Sequence, residues 1–451
     1  MTAIHAIVDV GLGNSSYLVD LGDGRALVID PHRDPRPYLA LATDHRLRVA
    51  FTAETHLHAD FVSGSRELAA QGATVLASAA GNREFPHTGL RDGDEVNLGG
   101  LMLRAIATPG HTPEHLAYLL LDGTREVALF TGGSLLVDAV ARTDLTDATR
   151  TEELARLAFR SIWDRLLTLP DALPVYPTHG AGSFCSTPAS SERTTTIGRE
   201  RSHNQLLGTR NEDAFVASLL GSLGTYPTYF HRLPEVNRRG PRVLQSMPAL
   251  AQLTPPEVQR LLSEGAVAID VRPVVEFAQA HVPGALSIAL RPAFASWFGW
   301  LVPPTQAVVF IVGDDQDHDD LVRQALNIGH ENLAGELAGG MPAWLAAGYP
   351  TQSVAVVAAE RAGATPIIDV RQAAEYDAGH VPGAQHHELG SLAEDVPNLP
   401  AGPLAVMCGH GERAMSGVSL LERAGRGDLT AVVGGPDEWA ALPGRQLARS
   451  E

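Results

Sequence analysis

The feature that most constrains the fold is an internal repeat in the second half of the chain. Residues 268–288 and 367–387 match at a constant offset of 99 residues. Each copy contains Asp-Val-Arg and His-Val-Pro-Gly-Ala, and each later carries Gly-Gly-x-x-x-Trp, at residues 339–344 and 434–439. A segment that recurs in this way is one structural unit. The sequence therefore predicts a duplicated domain of about 100 residues.

The repeat also sets the domain boundaries that we expect. In each copy an apolar run before Asp-Val-Arg predicts a buried strand, and the strands and amphipathic helices that follow predict a parallel α/β sheet. We place the copies at 254–350 and 355–451. Residues 1–245 then form a separate, larger domain, whose short apolar runs punctuated by Gly and Asp predict strands joined by tight turns. The chain is expected to be a multidomain α/β protein.

Composition excludes several kinds of chemistry. All 34 basic residues are arginine, and 52 acidic residues give a net charge of −18. Without lysine the chain has neither a pyridoxal Schiff base nor a P-loop lysine, and its negative charge disfavours nucleic acid. Two cysteines, 223 residues apart, indicate a reducing compartment, and no apolar run is long enough to span a membrane. We expect a cytoplasmic protein with no membrane partner; a homo-oligomer is compatible with the sequence.

Histidines follow three apolar runs of the first domain. His56, His58 and Asp60 form a His-x-His-x-Asp motif after one run, and His111 and His179 each follow another. Strand-end loops converge on one edge of a sheet, where a metal site is readily built. An isolated histidine is usually structural, but this combination indicates a metal site. The sequence predicts one divalent metal, Fe(II) or Zn(II), among these five residues.

A cysteine loop in the second copy predicts a nucleophile. Cys408 lies between an apolar run and a helical pattern, so backbone N–H groups and the helix dipole, with Arg413, are expected to favour its thiolate. The first copy has Val312 or Gly313 at this position and is expected to be catalytically silent. The remaining residues of the predicted sulfur-binding loop are Gly409, His410, Gly411, Glu412 and Ala414.

These segments resemble the metallo-β-lactamase fold and, more narrowly, persulfide dioxygenases fused to two rhodanese domains. The resemblance is carried by residues 54–64, 108–115, 142–145 and 177–185 and by both repeats. It implies an αββα domain followed by two rhodanese-like α/β domains. It also implies a single non-haem iron held by His56, His111 and an aspartate, and Phe61, where two-metal hydrolases have a histidine, favours one metal.

Gly133 stands where the resemblance implies that aspartate. A glycine offers no ligand, so the iron site of two histidines and a carboxylate is incomplete and a metal held by two histidines alone is expected to bind weakly. Three alternatives for the third ligand stay open. Water or an anion fills its position, Asp60 or Asp138 takes the place of the aspartate, or His58 joins His56 and His111 in a three-histidine zinc site. A domain retained only for its shape is the remaining alternative.

The resemblance implies an enzyme that oxidises a low-molecular-weight thiol persulfide to sulfite and transfers sulfur through Cys408, with thiosulfate or sulfite as further small partners. Cys185 and Arg142 are expected near the substrate pocket, although the sequence context of Cys185 slightly favours a buried, inert thiol. Two other functions stay open. One is a zinc-dependent thioester hydrolase with an appended sulfurtransferase, and the other is a sulfur carrier whose metal domain is inactive.

Overall fold

The computed structural model describes residues 2–186, 190–363 and 365–450. The chain divides into two compact units. The first contains residues 1–247 together with 326–329, and the second contains residues 248–325 and 330–451. Among the described residues, no helix is both long and apolar enough to cross a bilayer.

The first unit contains two six-stranded sheets. The first sheet has its strands in chain order, antiparallel from β1 to β3 and parallel from β3 to β6. Its elements are β1 (Ile4–Asp9), β2 (Asn14–Asp20), β3 (Arg25–Ile29), α1 (Arg36–Asp44), β4 (Arg48–Ala53), α2 (Ser65–Ala70), β5 (Thr74–Ser78) and β6 (Thr88–Leu90).

The second sheet is antiparallel except where β10 pairs with β11, and its order is β12-β11-β10-β9-β8-β7. Its elements, with the helices that follow, are β7 (Glu95–Asn97), β8 (Leu101–Ala107), β9 (Leu116–Asp122), β10 (Arg125–Gly132), α3 (Thr151–Asp164), β11 (Pro174–Pro177), β12 (Thr195–Thr196), α4 (Ile197–His203), α5 (Glu212–Gly221) and α6 (Leu233–Arg239).

Strand β9 shows how the layers are assembled. Successive side chains of a strand point to opposite faces of the sheet. Tyr118 and Leu120 accordingly lie in the core between the two sheets, whereas Leu119 and Leu121 pack against α3 and α5. The first sheet likewise packs its outer face against α1 and α2. The unit is therefore a four-layered αββα sandwich.

The second unit contains two parallel sheets with the same topology. Their strand orders are β13-β17-β16-β14-β15 and β18-β22-β21-β19-β20, so the repeat in sequence is a repeat in structure. The first copy consists of β13 (Gln252–Leu253), α7 (Pro255–Ser263), β14 (Val267–Asp270), α8 (Val274–Gln279), β15 (Leu286–Ser287), α9 (Phe294–Leu301), β16 (Val308–Ile311), α10 (His318–Asn327), β17 (Leu333–Leu337) and α11 (Gly340–Ala346).

From its second strand onward, the second copy has the same succession of strands and helices as the first. It consists of β18 (Ala355–Ala358), β19 (Ile367–Asp369), α12 (Ala373–Ala378), β20 (Gln385–His386), α13 (Leu392–Asp395), β21 (Leu404–Met407), α14 (Glu412–Arg423), β22 (Leu429–Val433) and α15 (Pro436–Ala440). In both copies the central strands are buried apolar runs, as is typical of parallel sheets.

Candidate functional sites

Three histidines from different loops meet in the first unit. His56 follows β4, His111 lies between β8 and β9, and His179 follows β11; all three are buried. Their candidate ligand nitrogens lie within 4.8 Å of one another. Nε2 of His56 is 3.3 Å from Nε2 of His179. The convergence of strand-end loops predicted from the sequence is present, with His179 as the third member.

The other ring nitrogen of each histidine fixes its orientation. Nδ1 of His111 lies 2.6 Å from the carbonyl oxygen of Arg142, which can only accept a hydrogen bond. Nδ1 of His179 lies 3.0 Å from Oδ1 of Asn14. In both histidines Nδ1 therefore carries a proton, and Nε2 is the nitrogen left to bind a ligand.

His56 follows the same pattern through a threonine. The Thr55 hydroxyl donates to Asp30 at 2.7 Å, so its oxygen accepts from Nδ1 of His56 at 2.8 Å. Burial, followed by the neighbouring histidines, lowers the pKa of His56 well below its ordinary value. Burial and then His179 lower the pKa of His111 to about 3. Both rings are thus neutral at pH 7.

This arrangement fits a single divalent cation. The Nε2 atoms of the three histidines meet in one buried space, and Nε2 of His111 has no hydrogen-bond partner among the described residues. Two nitrogens bound tetrahedrally to one zinc ion are separated by about 3.3 Å, which matches the His56–His179 distance. Imidazole nitrogens suit both zinc and iron.

The remaining predicted ligands lie around this triad. Nε2 of His58 is 3.1 Å from the carboxylate of Asp30, and its ring stacks on Phe61 at 4.2 Å. Asp60 accepts a hydrogen bond from Asn14 at 2.9 Å and lies 3.3 Å from Nδ1 of His179. His58 and Asp60 are also close enough to His179 to form a second candidate ligand group.

Gly133 and Asp138 occupy different surroundings. A Cβ at Gly133 would lie 2.3 Å from Cδ2 of His111, so any larger residue there requires the His111 ring to shift. Asp138 pairs with Arg199 at 3.1 Å and is partly exposed. In this structure, therefore, neither position supplies a ligand to the three histidines.

Two supporting residues were missed by sequence reasoning. His115 accepts a hydrogen bond from the Gly133 N–H at 3.0 Å, and Asp30 accepts from the Thr55 N–H at 2.8 Å. Burial alone raises the pKa of Asp30, but His58 and hydrogen bonds from threonines outweigh it and lower the pKa to about 2. Asp30 directly follows β3, so its position at a strand end was the available signal.

Cys185 and Arg142 are both buried. The Arg142 guanidinium binds Asp144 at 2.7 Å and two backbone carbonyls, and it stacks over Tyr226 at 4.2 Å. Arg142 contacts the histidine cluster through its backbone carbonyl oxygen, which lies 2.6 Å from Nδ1 of His111. Burial, followed by the negative charge of Asp60, raises the pKa of the Cys185 thiol well above its ordinary value. Cys185 is thus a buried thiol near Asp60, and the Arg142 guanidinium is held by Asp144 and Tyr226; a place for either residue in a substrate pocket stays a prediction.

The cysteine loop of the second copy connects β21 to α14. The Gly411 N–H donates to Sγ of Cys408 at 3.1 Å, and the Gly434 N–H donates to the His410 carbonyl at 3.1 Å. Gly435 lies so close to the loop that a Cβ there would be 2.5 Å from the Gly409 oxygen. The Gly-Gly of the second repeat therefore allows the loop to pack against the start of α15.

Arg413 lies in the first turn of α14 and binds a carboxylate. Its terminal nitrogens lie 2.6 and 2.7 Å from the two carboxylate oxygens of Glu375. Burial alone would lower the pKa of the Arg413 guanidinium, but Glu375 and Cys408 together raise it. Glu412 is the first residue of α14, and Ala414 is buried beneath the loop.

The equivalent loop of the first copy is closed by a side chain. Oε1 of Gln316 accepts from the Gly313 N–H at 2.8 Å, and Nε2 of Gln316 donates to the Val271 carbonyl at 2.7 Å. Val312 is the first residue after β16, where the second copy has Cys408. This loop has no thiol, and its Gly313 N–H is already bound to Gln316.

Comparison with known proteins agrees with this architecture. The rhodanese-like domain family model matches residues 254–347 and 354–442. Human mitochondrial persulfide dioxygenase ETHE1 is 31% identical over 184 residues, which is 40% of this chain and 68% of that protein. The chain belongs to the persulfide dioxygenase ETHE1 family. Bovine mitochondrial persulfide dioxygenase ETHE1 is 30% identical over 190 residues and is covered to 69%.

A solved structure supports the fold described above. A metallo-β-lactamase from Staphylococcus aureus superposes with a TM-score of 0.65 at 26% identity, covering 75% of this chain and 99% of that one. The predicted fold class is confirmed: a metallo-β-lactamase domain precedes two rhodanese-like domains.

Hydroxyacylglutathione hydrolase from Methylococcus capsulatus is 32% identical over 170 residues, 37% of this chain and 62% of that protein.

Proposed function

We propose that the metallo-β-lactamase domain oxidises a low-molecular-weight thiol persulfide and that Cys408 transfers sulfane sulfur. In the first reaction, R–S–SH, O2 and water give R–SH, sulfite and two protons. The observation that carries the proposal is the set of three histidine Nε2 atoms that converge in a buried space of an ETHE1-family domain. The cysteine loop on the same chain supplies the second reaction.

His56, His111 and His179 would hold one divalent metal. When bound, the metal supplies a Lewis acid and, if it is iron, an electron donor to O2. The chain supplies the orientation of the ligands: Asn14 fixes the His179 ring, and the Arg142 carbonyl fixes the His111 ring. Such outer partners set the tautomer of a ligand and raise its basicity. Burial of the cluster excludes bulk water.

Cys408 acts as a nucleophile on sulfur. Its thiolate attacks the outer sulfur of a donor, and the sulfur–sulfur bond of the donor breaks as the leaving group takes the bonding pair. The Gly411 N–H at 3.1 Å stabilises charge on Sγ, and the start of α14 adds the positive end of a helix dipole. The loop is therefore able to carry a cysteine persulfide.

A zinc-dependent thioester hydrolase is the second candidate for the first domain. It is favoured by the all-nitrogen donor set, which zinc accepts readily, and by the similarity to hydroxyacylglutathione hydrolase. Zinc with an open fourth position would activate water for hydrolysis. The metal and the consumption of O2 distinguish the two candidates.

An oxygen electrode combined with metal and sulfite analysis tests the proposal. Purified protein reconstituted with Fe(II) should consume one O2 and release one sulfite for each glutathione persulfide added. His56→Ala should abolish this reaction, whereas Cys408→Ser should retain it, because the two sites act separately. Hydrolysis of a glutathione thioester without O2 uptake, by protein that retains zinc, would replace oxidation with the hydrolase function.

A further inference from the structure

The cysteine loop has one arginine, and a carboxylate already balances its charge. Arg413 and Glu375 form a two-point ion pair with nitrogen–oxygen distances of 2.6 and 2.7 Å. The Arg413 side chain is 14% exposed, whereas the Glu375 side chain is 41% exposed. A donor that approaches from solvent therefore meets the carboxylate of the pair more readily than the guanidinium.

Both members of the pair are held in place. The carboxylate of Glu375 accepts from the Gln372 N–H at 3.1 Å, so it also caps the start of α12. On the other side, the Trp297 ring of the first copy lies 5.7 Å from the Arg413 guanidinium carbon. Freeing Arg413 for a substrate anion would break contacts made by two other elements of this unit.

No second fixed positive charge compensates within the loop. Among residues 408–414, all of which the structure describes, Arg413 is the single arginine and Glu412 adds a negative charge. Arg371 of the Asp-Val-Arg motif is buried, pairs with Asp369 at 2.7 Å and donates to the Gly379 carbonyl at 2.8 Å. The loop can thus stabilise one sulfur anion but is poorly suited to a dianion.

We propose that Glu375 is a specificity-determining residue that disfavours dianionic sulfur donors and favours organic persulfides. The inference rests on the proposed sulfur transfer at Cys408. The Cys408 thiolate attacks R–S–SH at its outer sulfur, giving Cys408–S–SH and R–S⁻. With thiosulfate the same attack gives Cys408–S–S⁻ and leaves sulfite, so a dianion must both enter and depart beside Glu375. A carboxylate that is paired with the loop arginine opposes the approach of a further negative charge.

Two donors of similar shape and different charge test this inference. Thiosulfate is a dianion and methanethiosulfonate is a monoanion, and each delivers its sulfur to Cys408 and then to cyanide. For the full-length chain we expect kcat/KM to favour methanethiosulfonate by about tenfold. Glu375→Gln keeps the size of the side chain and removes its charge, so it should raise kcat/KM for thiosulfate by about tenfold and reduce the preference.

The first copy supplies a matched control. Glu276 is the repeat equivalent of Glu375, and it lies 3.6 Å from Arg272 rather than against a sulfur loop. Glu276→Gln should leave the donor preference unchanged. Equal kcat/KM for the two donors in the natural protein, or an equal change for both in Glu375→Gln, would overturn the inference.

Two further measurements separate the possible failures. If Glu375→Gln does not fold, the natural protein still gives an answer, because added salt should raise kcat/KM for thiosulfate more than for methanethiosulfonate. A fall in kcat/KM for thiosulfate with salt would contradict the inference. Cys408→Ser should lose transfer from both donors; retained transfer would instead refute the proposed function of Cys408.

Discussion

The two rhodanese-like copies share a framework but differ in one loop. Each has a buried Asp–Arg pair at 2.7 Å, Asp270 with Arg272 and Asp369 with Arg371. Each also stacks the histidine of its His-Val-Pro-Gly-Ala motif on an aromatic ring at 3.8 Å. After the equivalent central strands, however, one copy places Cys408 under a backbone N–H, and the other closes the loop with a glutamine.

This comparison separates the residues that maintain the fold from those that carry sulfur. The repeated motifs lie in the framework, so their presence in both copies reports a shared fold and not a shared activity. Sulfur chemistry requires a thiol together with backbone donors that are free to stabilise it. The first copy lacks the thiol, and its Gly313 donor is already bound by Gln316.

Moving the cysteine between copies gives the largest expected effect. Cys408→Ser should abolish sulfur transfer, and adding Val312→Cys to that variant should not restore it, because Gln316 closes the loop of the first copy and Asp314 and Asp315 oppose an anionic sulfur there. Thiosulfate or methanethiosulfonate with cyanide as acceptor provides the assay. Recovery of transfer in the double variant would show that the thiol alone decides activity.

Removing the arginine of the shared Asp–Arg pair should lower the unfolding free energy by a similar amount in each copy. Arg272→Ala and Arg371→Ala each leave a buried aspartate without its partner, and such a loss destabilises a protein by about 3–5 kcal/mol. Denaturant unfolding of each variant measures the effect. If only Arg371→Ala were destabilising, the idea of one framework used twice would fail.

Opening the closed loop should have a smaller effect. Gln316→Ala removes the partners of the Gly313 N–H and the Val271 carbonyl and should destabilise the chain by about 1–2 kcal/mol. Asp315→Ala, in the same loop and on the surface, is the matched control and should be nearly neutral. Equal effects of the two substitutions on the unfolding midpoint would contradict the role assigned to Gln316.

The smallest expected effect is a pH dependence confined to the second copy. Burial alone would raise the pKa of the Glu375 carboxyl, but Arg413 lowers it below its ordinary value of 4.5. The stabilisation from this pair is therefore present above pH 4.5 and is lost as the pH falls further. Glu375→Gln should reduce the unfolding free energy by less than about 1 kcal/mol at pH 7, and by less still at pH 3.

The matching substitution in the first copy controls for this effect. Glu276 is 46% exposed and 3.6 Å from Arg272, so Glu276→Gln should change the unfolding free energy little at either pH. A larger deficit for Glu375→Gln at pH 3 than at pH 7 would reverse the sign of the predicted dependence.

Features set by local pattern were predictable from the sequence. The repeat predicted two like domains, and strand-end positions predicted that His56, His111 and His179 would meet. Contacts between residues far apart in the chain left no such pattern. The Glu375–Arg413 pair joins residues 38 positions apart, and the Asn14–His179 contact joins residues 165 apart. The absence of a cysteine from the loop of the first copy was visible in the sequence, but the closure of that loop by Gln316 depends on geometry that the sequence does not display.

Isotope mapping of the transferred sulfur shows whether Cys408 is the residue that carries it. The natural protein is exposed to a donor labelled at its sulfane sulfur, digested without reductant, and the labelled peptide is identified by mass spectrometry. We expect one labelled sulfur per chain, on the peptide that contains Cys408, with none on Cys185, because burial raises the pKa of the Cys185 thiol. Label on Cys185 with an unmodified Cys408, or no covalently bound label, would show that Cys408 does not carry the sulfur.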